Sequence, residues 1–269
     1  MPTCGLINLG SCLPQVFFEF ITNLINEPIQ PFLQLTLNLL SESVNITLFA
    51  HLWAIIVYIL SMFYALLIVG SGFSILIAGY DSEKREQAKV WLRSIIIMII
   101  LVQSSFFAYQ LIIDLSSAMA SAILSLIDPN FFTITVNSTI GLGLILFFNL
   151  CYLATLILTM LILILRYAIV SIGVVFLPIG IFFYFLSPLK QFGSLIINIL
   201  GVSIFITFFD AILLIGFSTL TSVALFNTFQ ILLLITAFLT IDILALILMF
   251  FTISKATFNI YSNIKRWRN

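Results

Sequence analysis

Five apolar runs, each long enough to cross a bilayer, constrain this chain more than any motif it carries. They are Leu48–Gly79, Ser94–Ile127, Ile140–Leu186, Gly193–Phe217 and Phe229–Ser254. A hydrocarbon core of about 30 Å takes roughly 20 helical residues. Backbone groups in lipid need internal partners, so such runs fold as helices unless they alternate as barrel strands do. These are rich in Leu, Ile and Phe and show no period of two. With 62% hydrophobic and 7% charged residues, the chain has too little polar surface for a soluble globule of 269 residues. The mean hydropathy of +1.28 agrees. The expected fold class is therefore all-α, a polytopic transmembrane helix bundle.

The basic residues set the topology. Lys84, Arg85, Lys89 and Arg93 share one polar segment, Lys190 lies in a second, and Lys255, Lys265, Arg266 and Arg268 are in the tail. Arg166 lies deep inside the third run. That run is too long for one perpendicular span. If it turns at Arg166, the chain has six spans and five positive charges on each side. If it crosses once, all the basic residues but Arg166 share a side. Basic residues beside spans stay in the cytoplasm, which favours five crossings, N-terminus outside and C-terminus cytoplasmic in the cell membrane. The surplus length then implies a helix break or re-entrant piece around Pro178 and Gly180. Three parts follow: an outer amphipathic segment (1–44), a transmembrane domain (45–254) and a basic cytoplasmic tail (255–269). Met1–Gly10 holds no Lys or Arg, so the charged start of a cleavable signal peptide is missing and the first true span is expected to direct insertion.

In the outer segment, Leu13, Val16, Phe17, Phe20, Ile21, Leu24 and Ile25 follow helical spacing. Pro28 and Pro31 interrupt it, and Pro31 can open a second short helix through Leu40. Two readings stay open: a helix resting on lipid or on the spans, and a docking surface for a partner protein. Two N-x-S/T sequons, at Asn45 and Asn137, fall on the outer side and are candidate glycosylation sites. Cys4 and Cys12 can form a disulfide in an oxidising exterior or remain two small unpaired residues. Cys151 lies within a span and is read as packing.

Asp114, Arg166, Asp210 and Asp242 sit within apolar runs. Intramembrane charges are costly and face a bundle interior or an aqueous cavity. Arg166 is expected to pair with Asp210 or Asp242, either as a structural ion pair or as part of a polar conduit. Asp114 lies nearer the outer end of its helix. The segment Asp81–Arg93 lacks Gly and Pro and is helix-favouring, and Arg85, Lys89 and Arg93 at i, i+4 and i+8 make a basic stripe. It is read as a solvated topology anchor or as a contact site for a cytoplasmic ATPase. In the second span Ser117 with Ser121, or Ala118 with Ala122, makes a small-xxx-small pair for close helix approach.

Enzyme signatures are absent. There is no G-x-S-x-G, H-E-x-x-H or phosphate-binding G-x-x-x-x-G-K-[ST] sequence, and the chain has a single His, His51. No metal-ligand spacing occurs, so no metal, cofactor or catalytic residue is expected. The zero formal net charge excludes a broadly basic nucleic-acid-binding surface.

Two stretches carry a family resemblance. Gly79–Ser105, with its charged run Asp-Ser-Glu-Lys-Arg-Glu-Gln-Ala-Lys-Val-Trp-Leu-Arg, resembles the charged hairpin of archaeal TrbL/VirB-type polytopic membrane proteins. The run Arg166–Tyr184, followed by Pro188-Leu-Lys190, is similar to that family's Arg-to-Pro segment and the loop after it. The likeness extends over roughly residues 45–252. Such proteins, CedA-type DNA-exchange proteins of crenarchaea among them, belong to type IV secretion, conjugation and DNA-import machines. The resemblance implies a non-enzymatic channel component for DNA transfer, assembled with pilin-like membrane proteins and driven by a separate cytoplasmic ATPase, with DNA as cargo. The rival class is a small-solute or ion transporter in which Asp210, Asp242 and Arg166 bind substrate.

The five-crossing topology is tested with Glu86→Cys, Lys190→Cys and Lys265→Cys in a background whose native cysteines are replaced by Ser. All three are expected to be protected from an impermeant reagent added outside. Labelling of positions 190 and 265 from outside would restore six spans.

Overall fold

In hydrocarbon a peptide group without a hydrogen-bond partner costs several kcal/mol, and the described residues meet that constraint with helices joined by short turns. The computed structural model describes residues 29–79, 81–132, 142–223, 226 and 229–268, together with 17, 20 and 27. Among them there is no strand. Residues 29–41 form α1, followed by α2 (Ala50–Ile77), α3 (Ser82–Leu124), α4 (Leu142–Phe185), α5 (Lys190–Leu220) and α6 (Gln230–Arg268). Short 3-10 turns occupy Thr47–Phe49 and Pro129–Phe132. Five helices are long and apolar enough to cross a membrane, and the protein is a multi-pass helical membrane protein.

The third apolar run is one helix of 44 residues with Pro178 inside it. No turn occurs at Arg166, and the expected break at Pro178 and Gly180 is corrected: α4 runs through both. The physical reason is economy of backbone hydrogen bonds. Pro178 removes one donor, whereas ending a helix in lipid strands several. Gly180 serves close approach instead. A Cβ there would come 2.9 Å from Ile196 Cγ2, and one on Gly193 of α5 would come 2.5 Å from the Gly180 carbonyl oxygen.

The helix-favouring charged segment after Gly79 forms the first turns of α3, begun by Asp81, whose Oδ1 accepts from the Glu83 and Lys84 amides at 3.1 and 3.4 Å. The basic residues that follow the last span are carried on the end of α6, which continues through Arg268.

The chain divides into two compact units, each with its own core. The first comprises residues 1–42, 119–165 and 207–245. Its core gathers Tyr152, Leu156, Leu214, Leu234 and Phe238, and α1 inserts Ile29, Leu33 and Leu40 into the same cluster. Thr36 on that face is fully buried and returns its hydroxyl to the Phe32 carbonyl at 2.8 Å. The second short N-terminal helix therefore rests on the spans, as one of the two readings expected. Of the preceding segment, Phe17 and Phe20 are helical and exposed. The other positions of its amphipathic pattern lie outside the described residues, as do Cys4, Cys12 and Asn137.

The second unit comprises residues 43–118, 166–206 and 246–269. Within it α3 buries Ile95, Met98, Val102, Ser105, Tyr109 and Ile113, in steps of three or four that keep one face inward. Trp53 of α2 donates Nε1 to Ser105 Oγ at 2.9 Å. Gly173 of α4 leaves the space that Tyr109 and Leu200 fill, and the Tyr109 hydroxyl donates to the Val170 carbonyl at 2.7 Å.

Gly193→Ala is expected to reduce stability by about 1–3 kcal/mol, the usual cost of overpacking. Gly201→Ala, whose Cβ meets nothing within 4 Å, is expected to be neutral or slightly stabilising. Thermal unfolding of the purified protein in detergent checks both.

Candidate functional site

Arg166 lies on the α4 face that also buries Leu163, Val170, Gly173 and Val174, so helical spacing carries its guanidinium inward. It is 4% exposed. Nε donates to the Ser203 carbonyl at 2.9 Å and Nη2 to the Ile204 carbonyl at 3.1 Å, both on α5. A helical carbonyl has a second lone pair beyond the one its own helix uses, and a planar guanidinium can reach two such oxygens one residue apart. Ser116 of α3 donates to the same Ile204 oxygen at 2.9 Å. One carbonyl thus joins α3, α4 and α5 within the second unit.

Small residues on α3 also serve this arrangement. The buried row runs through Ser116 and Ala120, while Ala118, Ser121 and Ala122 are exposed. The expected pairs Ser117/Ser121 and Ala118/Ala122 lie beside this row, at half-buried and exposed positions. Asp114 is corrected as well. It is exposed, because Ile113 takes the inward position of that turn. It belongs to no buried charge network.

Asp210 and Asp242 are 1% and 2% exposed and belong to the first unit, whereas Arg166 belongs to the second. The Asp242 carboxyl faces the Thr159 hydroxyl, which donates to the Thr155 carbonyl at 3.0 Å. On α4 of the same unit, Asn149, Tyr152 and Thr159 are fully buried. The Asn149 amide and the Tyr152 hydroxyl have no hydrogen-bond partner among the described residues. Sequence reading missed this polar row. Its signal is the spacing of Asn149, Tyr152, Thr155 and Thr159 along one helical face within an apolar run. None of the first unit's three segments contains Lys or Arg.

The basic stripe is presented outward. Arg85, Lys89 and Arg93 are all exposed on the first turns of α3. Lys89 Nζ lies 2.7 Å from Glu86 Oε1, and Lys84 Nζ lies 3.5 Å from Asp81 Oδ2. Both pairs are solvent-facing and add little stability. Beside them a groove of about 550 Å³ is lined by Ser74, Ala78, Asp81, Lys84, Gln87 and Trp91, among others.

Asn45 is exposed, and its Oδ1 accepts from the Thr47 amide at 3.0 Å and the Thr47 hydroxyl at 2.6 Å. Cys151 is half-buried in α4 with a free thiol. No group of three or more His, Cys, Asp or Glu side chains suited to a metal occurs among the described residues.

Arg166→Lys is expected to reduce stability by about 1.5–3 kcal/mol, because a single ammonium cannot replace a charged fork on two carbonyls. Ser116→Ala is expected to cost about 0.6 kcal/mol, the average for a hydrogen bond between membrane helices. Unfolding midpoints of the two variants in one detergent give the comparison.

No protein-family model, curated protein or solved structure matches the chain.

Proposed function

We propose that the protein is a non-enzymatic membrane subunit of a type IV secretion- or conjugation-like DNA-transfer channel. The observation that carries this reading is the form of the Asp81–Arg93 segment. It is the exposed, basic start of a 43-residue helix, about 64 Å long and more than twice the hydrocarbon thickness. Charge held on rigid helix clear of the membrane suits contact with a cytoplasmic motor. With α4 crossing once, this stripe, Lys190 and the basic end of α6 share a side, which is taken as cytoplasmic. The resemblance of Gly79–Ser105 and Arg166–Tyr184 to the TrbL/VirB-type proteins supports the same assignment.

A second reading, a small-solute or ion transporter, is favoured by the buried row of Asn149, Tyr152 and Thr159 with Asp242. The two make opposite predictions. In the first, a deletion strain loses DNA uptake or donation while growth and solute uptake stay normal. Arg85→Glu with Lys89→Glu, at unchanged membrane level, lowers transfer about tenfold or more through repulsion at the motor contact. Normal DNA transfer in the deletion strain, with a defect in solute uptake, would establish the transporter instead.

A further inference from the structure

The second unit contains an apolar groove of about 490 Å³ between α2 and the end of α4. Ile56, Leu60, Phe63 and Leu67 form one wall, and Phe182 and Leu186 are on the other. No polar side chain lines it. Phe63 and Phe182 meet across it with ring centroids 6.1 Å apart. From there the α2 wall continues to Leu67 and the α4 wall to Leu189, so the groove leads to the turn between α4 and α5. The α2 wall from Ile56 to Leu67 is about 16 Å long at helical rise. That is about the depth of one bilayer leaflet.

Lys190 immediately follows the last lining residue. Its side chain is exposed, with Nζ 5.4 Å from the centroid of the Tyr184 ring. No Asp or Glu occurs between positions 167 and 209, so the adjoining sequence supplies no carboxylate to neutralise it. A leaflet-deep apolar slot with a cation at its interfacial end matches a molecule with a hydrocarbon tail and an anionic head.

We propose that this groove binds one anionic membrane lipid, its tail between α2 and α4 and its headgroup phosphate on Lys190. The site does not depend on what the protein transports. A cationic side chain near the membrane surface favours an anionic over a zwitterionic lipid by about fivefold in occupancy. The shape of the slot selects for a chain of leaflet length.

The full-length protein, purified in detergent doped with equal phosphatidylglycerol and phosphatidylcholine of one chain length, is examined by native mass spectrometry. One phosphatidylglycerol is expected to be retained in about fivefold preference. Lys190→Gln is expected to abolish the preference, whereas Arg85→Gln leaves it intact. Ile59→Trp, which projects bulk into the slot from its exposed rim, is expected to lower retention of both lipids. Should a variant fold poorly, Leu66→Trp supplies a second measurement in vesicles. The added fluorescence is expected to be quenched more by brominated phosphatidylglycerol than by brominated phosphatidylcholine, with Lys190 present. Equal retention of the two lipids, or a preference that survives Lys190→Gln, would overturn the proposal. So would unchanged lipid retention in Ile59→Trp with loss of a dimer, which would assign the groove to a second copy of the chain.

Discussion

Hydrocarbon offers a peptide group no partner, and the structure follows from that deficit. It explains why the third apolar run is a single 44-residue helix rather than two helices and a turn, since every turn in lipid would strand backbone donors and acceptors. It explains why Pro178 is carried inside α4 at the cost of one hydrogen bond. The same deficit governs Arg166. A buried cation must find oxygen, and the nearest stock of unused lone pairs is the carbonyl row of an adjacent helix, here Ser203 and Ile204 of α5.

Carbonyls become available only when helices come close, which assigns the small residues their work. Gly173 makes room for the Tyr109 ring, and Gly180 and Gly193 let α4 and α5 approach backbone to backbone. Ser116 is small enough to sit at the α3–α5 contact and polar enough to use it. Since lipid is as apolar as Leu, association in the membrane depends on such packing and hydrogen bonds rather than on hydrophobic burial. The second unit is accordingly joined by hydrogen bonds from Trp53, Tyr109, Ser116 and Arg166.

The charges are separated along the chain in a way that bears on function. All the Lys and Arg residues fall in segments of the second unit, while the first holds buried Asp210 and Asp242. A stripe held outward on α3 suits recognition of a soluble partner. Buried acids in an apolar setting suit either a structural role or the handling of a small cation. The contrast is the physical basis of the two functional readings, and it lies in residues that composition alone could not rank.

Hydropathy, the long apolar runs and the grouping of basic residues were enough to determine an all-helical membrane protein with five spans, because span length and backbone satisfaction depend only on local sequence. The helical start of α3 was equally legible, from a segment without Gly or Pro behind a capping Asp81. Other features needed the tertiary structure. Whether Pro178 ends a helix depends on what surrounds it, and whether Asp114 is buried depends on which turn of α3 faces its neighbours. The partners of Arg166 were least accessible. A sequence cannot single out a carbonyl, since every residue carries one, and only the packing of α4 against α5 decides which ones a guanidinium can reach.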